Sequence, residues 1–281
     1  MIYLPILGAI ALAGGIIIQR FVLKKKGISI KQYSVLEFLA IVLVMLPFIY
    51  FFWKVDSEAF QLKNLILFLC VIALSIVANL FSYYSVKGEK VSNLEPAKVL
   101  EPFFVIILAI IFSFFLPGFE KNPKVIVPAI LSVTALVLSH IKKHHLKFNK
   151  YFIAAIFGSF FFGLELVISK LILEFYNPIT FYFLRGVFVL VFFSMFFHPN
   201  LKEQVKKRKF HFLSLGAIWV FYRIIVYYGY IHLGVISTTL IFLLGPILVY
   251  FFARLFLKEK FNWKNIIASI IIVASIIYAL L

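Results

Sequence analysis

Residues 93–104 read NLEPAKVLEPFF and run directly into the apolar stretch VIILAIIFSFFL. Glu95, Lys98 and Glu101 recur at i, i+3 and i+6, so a helix carries all three on one face, where neighbours can pair. Two carboxylates flanking an ammonium suit either of two roles in a membrane, gripping a substrate of mixed charge or passing a proton. A lone charge at mid-membrane costs about 2.5–3.5 kcal/mol on insertion scales, and pairing or a wet cavity lowers that cost. Pro96 and Pro102 each remove a backbone donor and free a carbonyl one turn earlier. Within a membrane, such broken backbone lines a cavity or packs on protein. The structural alternative is an ion network that locks helices together.

Other ionisable residues also fall inside apolar segments. Glu165 is within reach of Lys170 or of Arg185, and Glu37 is a near counterpart of Arg185 with opposite sign. Arg223 stands beside Tyr222, Tyr227 and Tyr228, a setting for cation–π packing or for holding an anionic group. Arg20 and Arg254 lie near basic loops and suit snorkelling, whereas Lys170 has no basic neighbour and is expected at a cavity. Asn79 and Tyr83, at i and i+4, suit an interhelical hydrogen bond. Six buried basic candidates (Arg20, Lys98, Lys170, Arg185, Arg223, Arg254) face four acidic ones (Glu37, Glu95, Glu101, Glu165). A substrate carboxylate or phosphate would balance them.

These residues need a scaffold, and composition says which. The chain has 281 residues, 64% hydrophobic and 14% charged, against about 45–50% and about 25% in soluble domains. Ten apolar segments lie near 2–23, 35–53, 64–86, 92–116, 124–141, 151–173, 178–197, 210–232, 235–257 and 264–281. The first is read as a retained span, since no basic region precedes it. The loops after odd-numbered spans hold 18 basic residues and the others 4, which places the odd loops in the cytoplasm and both termini outside. The net charge of +17 is therefore a topology signal and not a nucleic-acid footprint. Cys70 is the single cysteine, which excludes an intrachain disulfide and a thiol metal cluster; it reads as filler in span three. Asp56 is the single aspartate, which excludes an Asp-rich magnesium site. His144 and His145 are adjacent in a linker, poor spacing for metal ligation. No GxxxxGK[ST] is present to couple ATP.

The halves resemble each other. ILGAIALAGGIIIQRFVL (6–23) aligns with IFGSFFFGLELVISKLIL (156–173), bringing Gly8 onto Gly158. At one constant offset Tyr83-Tyr84 meet Tyr227-Tyr228, Val91 meets Val235, Glu101 meets Gly245 and Pro102 meets Pro246; NPKVIVPAI (122–130) then meets NWKNIIASI (262–270). Five spans per half invert the second half relative to the first, a plan of secondary transporters with the site between the repeats. Glu101 in place of Gly245 breaks that symmetry with a charge.

The segment YYGYIHLGVISTTLIFLLGPILVYFFARLFLKEKFNWKNIIASIIIVASIIYALL (227–281) has a tyrosine pair, a short turn, a span with a central Pro246 and the closing LFLKEKF with Glu259. With the repeat, it resembles the drug/metabolite transporter superfamily, in its ten-span form with two EamA-like domains. The first half departs by offering FSFFLPGFE without the counterpart of Glu259, and the last span shows Ala268-Ser269 where the family has glycine. Many relatives also keep both termini in the cytoplasm.

The expected fold is an all-α integral membrane protein of ten transmembrane helices in two five-helix inverted repeats, 1–143 and 151–281, joined by a linker at 144–150. The expected function is secondary active transport of a small polar metabolite, an amino acid or another small zwitterion or anion, across the cell membrane. The expected site comprises Glu101, Lys98, Glu95, Arg223, Lys170, Glu165, Arg185, Tyr227 and Tyr83, with no cofactor or metal. Expected partners are the substrate, the lipid bilayer and coupled protons, without nucleic acid, in a monomer with a dimer as alternative. Competing readings are a lipid flippase or accessory subunit and, further off, a membrane-embedded transferase.

Overall fold

The computed structural model describes residues 3–24, 28–88, 94, 97–140, 149–248 and 263–280. In chain order the helices are α1 (Tyr3–Lys24), α2 (Ile30–Phe52), α3 (Leu62–Gly88), α4 (Leu100–Phe115), α5 (Pro123–His140), α6 (Lys150–Lys170), α7 (Pro178–Phe197), α8 (Lys202–His232), α9 (Val235–Phe242) and α10 (Trp263–Leu280). Among the described residues five segments are long and apolar enough to cross a membrane: Ile30–Phe52, Leu62–Gly88, Lys150–Lys170, Pro178–Phe197 and Arg208–His232. Five shorter apolar helices stand at the other positions of the series. The burial pattern is that of a lipid solvent: Tyr50, Phe51, Phe114, Phe115 and Phe196 are exposed, while Glu165, Arg185 and Thr238 are buried. The chain is an all-α, multi-pass membrane protein.

Local chemistry sets the helix starts. Ser29 and Gln32 form a capping box, so α2 begins at Ile30 and not at 35. The Asn149 side chain accepts from the N–H groups of Tyr151 and Phe152 at the head of α6. Asn177 accepts from Ile179 N ahead of Pro178, which opens α7. Helix α8 also begins earlier than hydropathy alone suggests, because LKEQVKKRKF is helical without being apolar. Gln204, expected in a loop, is therefore a buried helical residue. Cys70 is exposed and faces outward instead of filling the interior.

The fourth and ninth spans are both broken. Ala97 and Lys98 are helical, Val99 is a turn, and the helix resumes at Leu100; likewise α9 ends at Phe242, Leu243 is a turn, and 244–248 are helical again. Pro102 and Pro246 stand three residues beyond these turns. Each lacks the N–H that residue i−4 would have accepted from, and its ring crowds that carbonyl, which accounts for both breaks.

The most extensive packing pairs α3 with α6, α5 with α10, α1 with α8 and α2 with α7. Replacing each helix n by n+5 converts the first pair into the third and returns the second and fourth to themselves. Glycines allow the close contacts: a Cβ on Gly158 would meet Ser82 N at 3.3 Å across α6–α3, and one on Gly8 would meet Ile225 Cγ2 at 3.0 Å across α1–α8. Tyr84 and Tyr228, equivalent in the alignment, have exposures of 38% and 39%.

Candidate functional site

A cavity of about 230 Å³ lies among the helices and takes walls from both halves of the chain. Its polar lining includes Glu37, Asn79, Lys98, Glu101, Arg185 and Arg223. Glu101 and Gly245, paired by the sequence alignment, both line it, as do Pro102 and Pro246. The charge that breaks the repeat thus sits on the cavity wall. Lys98 precedes the Val99 turn and Glu101 opens α4, so the break presents both to the same space. Glu95 lies outside the described residues, as do Arg254, His144 and His145; so does the Arg20 side chain.

Behind this wall a carboxylate organises the second half. Glu165 on α6 is 0% exposed and does not line the cavity. Its Oε1 lies 3.1 Å from Arg185 Nε on α7, and its Oε2 3.2 Å from Arg223 Nη1 on α8. The Tyr227 hydroxyl donates to Oε1 at 3.2 Å. Arg185 Nη2 donates to Ser75 Oγ on α3 at 2.6 Å, which ties the cluster to the first half. Arg185 Nη1 is buried without a hydrogen-bond partner. The guanidinium of Arg223 also lies over the Phe162 and Tyr227 rings at 5.9 and 5.8 Å. One carboxylate shared by two guanidiniums leaves net positive charge facing the cavity, since Arg185 and Arg223 line it while Glu165 does not.

A second buried carboxylate lies in the first half. Glu37 on α2 is 4% exposed and lines the cavity. Tyr33 OH donates to its Oε1 at 3.0 Å, and Tyr83 OH from α3 donates to its Oε2. Trp219 Nε1 is close to Glu37 but is not placed in hydrogen-bond geometry. No basic side chain pairs with Glu37 among the described residues. Tyr83 and Tyr227, matched by the repeat, each donate to a buried carboxylate.

Of the residues singled out from sequence, Lys98, Glu101, Arg185 and Arg223 line the cavity, whereas Glu165, Tyr83 and Tyr227 support it from behind. Lys170 ends α6 half-buried and does not line the cavity, so the expected cavity position is not where the structure puts it. Glu165 pairs with Arg185 and not with Lys170, which lies five residues along its own helix, off the face of Glu165. Asn79 donates to Ser75 O at 2.7 Å within its own helix, which corrects the interhelical reading. Glu37 is absent from the site expected from sequence, although its isolation in an apolar run with Tyr33 at i−4 is a usable signal. Glu120 is absent from it too. Its carboxylate accepts from Val235 N and Ser237 N at 3.0 Å each, and so caps α9. Among the described residues no group of His, Cys, Asp and Glu is arranged to hold a metal.

Residues 149–281 match the sequence profile of the EamA-like transporter family. The match covers α6 to α10, which carry Glu165, Arg185, Arg223 and Tyr227. A solved crystal structure superposes with a TM-score of 0.66 over 99% of this chain and 95% of its own, at 14% identity. At that identity the likeness establishes a shared fold, over the first half as well as the second. No curated protein sequence matches the chain.

Proposed function

We propose that this EamA-like protein is a secondary active transporter that moves a small polar metabolite, an amino acid or another small zwitterion or anion, by alternating access. The observation that carries this is the cavity: about 230 Å³, inside a membrane bundle, lined by charges of both signs from both halves. A water occupies about 30 Å³ in the liquid, so the space suits one small metabolite. Arg185 and Arg223 offer positive charge to a substrate carboxylate or phosphate, and Glu101 with Lys98 faces the rest of the molecule. The two five-helix repeats supply opposing walls, and the site lies between them.

One end of the bundle is tied shut. Asp56 N donates to Phe175 O at 2.9 Å and Asn177 N to Lys54 O at 3.2 Å, joining the loop after α2 to the loop after α6. Lys54 N donates to Thr180 Oγ1 at 3.0 Å, and Thr180 Oγ1 donates to Phe52 O at 2.9 Å. Glu120 adds its clamp on α9 at the same set of loops. Toward the odd loops the cavity reaches Gln19, Ser85, Lys98 and Ala155, near the ends of their helices. Under the orientation argued from charge this is a form closed to the outside and facing the cytoplasm.

Reconstituted protein assayed for uptake and efflux against a panel of amino acids and small organic anions should move at least one of them. If no solute moves but labelled lipid equilibrates between leaflets, the flippase reading replaces this one. Glu101→Gln should lower both net transport and exchange if Glu101 contacts the substrate; an unchanged rate and pH dependence would make the Lys98–Glu101 pair structural. For sidedness, a cysteine at exposed Lys202, with Cys70 replaced, should resist impermeant label applied outside intact cells.

A further inference from the structure

The transporter reading gives no role to one cavity-lining group, Glu37. Its surroundings differ in kind from those of Glu165, the other buried carboxylate with two side-chain partners. Its two oxygens are held by two tyrosine hydroxyls, Tyr33 from its own helix and Tyr83 from α3. The groups facing it from the other packed elements are Trp219 from α8 and Tyr182 from α7, and Phe212 from α8 packs on the Tyr33 ring. Gln19 from α1 lies close to Tyr33. The charged groups of the same cavity are Arg185, Arg223, Lys98 and Glu101, and the first two are already engaged by Glu165.

We infer that Glu37 is a proton-binding site of the transport cycle, taking up and releasing one proton while Tyr33 and Tyr83 hold it in both states. The reason is the hydrogen-bond chemistry of its partners. A guanidinium or ammonium only donates, so a carboxyl group gripped by it cannot take a proton without stranding a donor. Glu165 has a guanidinium on each of its oxygens. A phenol both donates and accepts. When Glu37 is ionised, both hydroxyls donate to it. When one oxygen binds a proton, that O–H donates to the facing hydroxyl, which turns about its C–O bond and accepts. The hydroxyl that accepts turns its own O–H away from Glu37, but no ion pair is broken in the exchange, so the site does not resist the change as a salt bridge would. Access is provided as well, because Glu37 lines the cavity, and the cavity connects it to whatever solvent the open side admits. What the proton drives rests on the transporter reading; that Glu37 binds it does not.

The test therefore uses no substrate. Infrared difference spectra of the full-length protein in lipid bilayers, taken between about pH 5 and about pH 9, detect the carbonyl stretch of a protonated carboxyl group directly. Glutamate side chains outside the membrane contribute alike in every variant. The expected result is a buried-carboxyl band that disappears in Glu37→Gln, persists in Glu165→Gln, and moves in frequency in Tyr83→Phe as one hydrogen bond to it is lost. A Glu37→Gln spectrum that superimposes on that of the unaltered protein overturns the inference. If Glu37→Gln does not fold, Tyr33→Phe and Tyr83→Phe decide instead: a band that shifts in neither variant overturns it, and a shift in either supports it. Transport of a panel solute without any such band would leave the protein a transporter and remove Glu37 from its coupling.

Discussion

Two buried carboxylates, one in each half, are built in opposite ways. Glu165 is enclosed by Arg185, Arg223 and Tyr227, stands behind the cavity wall and is fully neutralised. Glu37 is on the wall and is held by Tyr33 and Tyr83, which carry no charge. The tyrosines Tyr83 and Tyr227 are equivalent in the repeat, so the two halves start from the same donor and diverge in what joins it. Guanidiniums convert the carboxylate into a fixed strut and turn net positive charge toward the cavity. Neutral hydroxyls leave the carboxylate free to change state. The comparison teaches that burial alone does not assign a role to a membrane carboxylate; the donors around it do.

Breaking the strut should have the largest effect. Glu165→Gln strands two buried guanidiniums, and removing one member of a buried ion pair costs about 3–5 kcal/mol. Thermal unfolding in detergent should show a large fall in midpoint or loss of monodisperse protein; an unchanged midpoint would deny Glu165 its structural role. Arg223→Ala should come next. Arg185 still neutralises Glu165, so the folded yield stays near normal while transport of the panel solute is lost. A variant that no longer survives extraction would make Arg223 part of the strut alone.

Glu37→Gln should be milder for the fold than Glu165→Gln, since an amide can accept from one tyrosine and donate to the other. A loss within about 1 kcal/mol is expected, the scale of one hydrogen bond, together with loss of pH dependence in net transport. A midpoint fall as large as that of Glu165→Gln would erase the distinction between the two centres. Lys170→Ala should do least. It is off the cavity, and substitutions away from such features stay within about ±0.5 kcal/mol; reduced transport at normal stability would return Lys170 to the site.

The fourth span shows how far sequence reasoning reaches into this site. Glu101 opposite Gly245, with prolines at matched positions, is enough to mark a broken helix carrying a charge, and both Glu101 and Lys98 line the cavity. Asn79 shows the limit. Its spacing to Tyr83 suggests one partner, but the side chain turns to Ser75 and Tyr83 to Glu37, because rotamers answer to neighbours on other helices.

What the sequence determined by itself is what lipid and local backbone chemistry decide. Long apolar runs had to become helices, since backbone groups in hydrocarbon can be satisfied only within such a segment. Ser29, Asn149 and Asn177 set helix starts through bonds to residues two or three positions on. Pro102 and Pro246 broke their spans wherever the fold placed them. Only the tertiary structure decided which charges meet. Glu165 finds Arg223 across 58 positions of chain, Tyr83 finds Glu37 across 46, and Arg185 finds Ser75 across 110. Those partners are chosen by which helices pack together and at what rotation, and hydrophobic runs that look alike on every face carry little record of either.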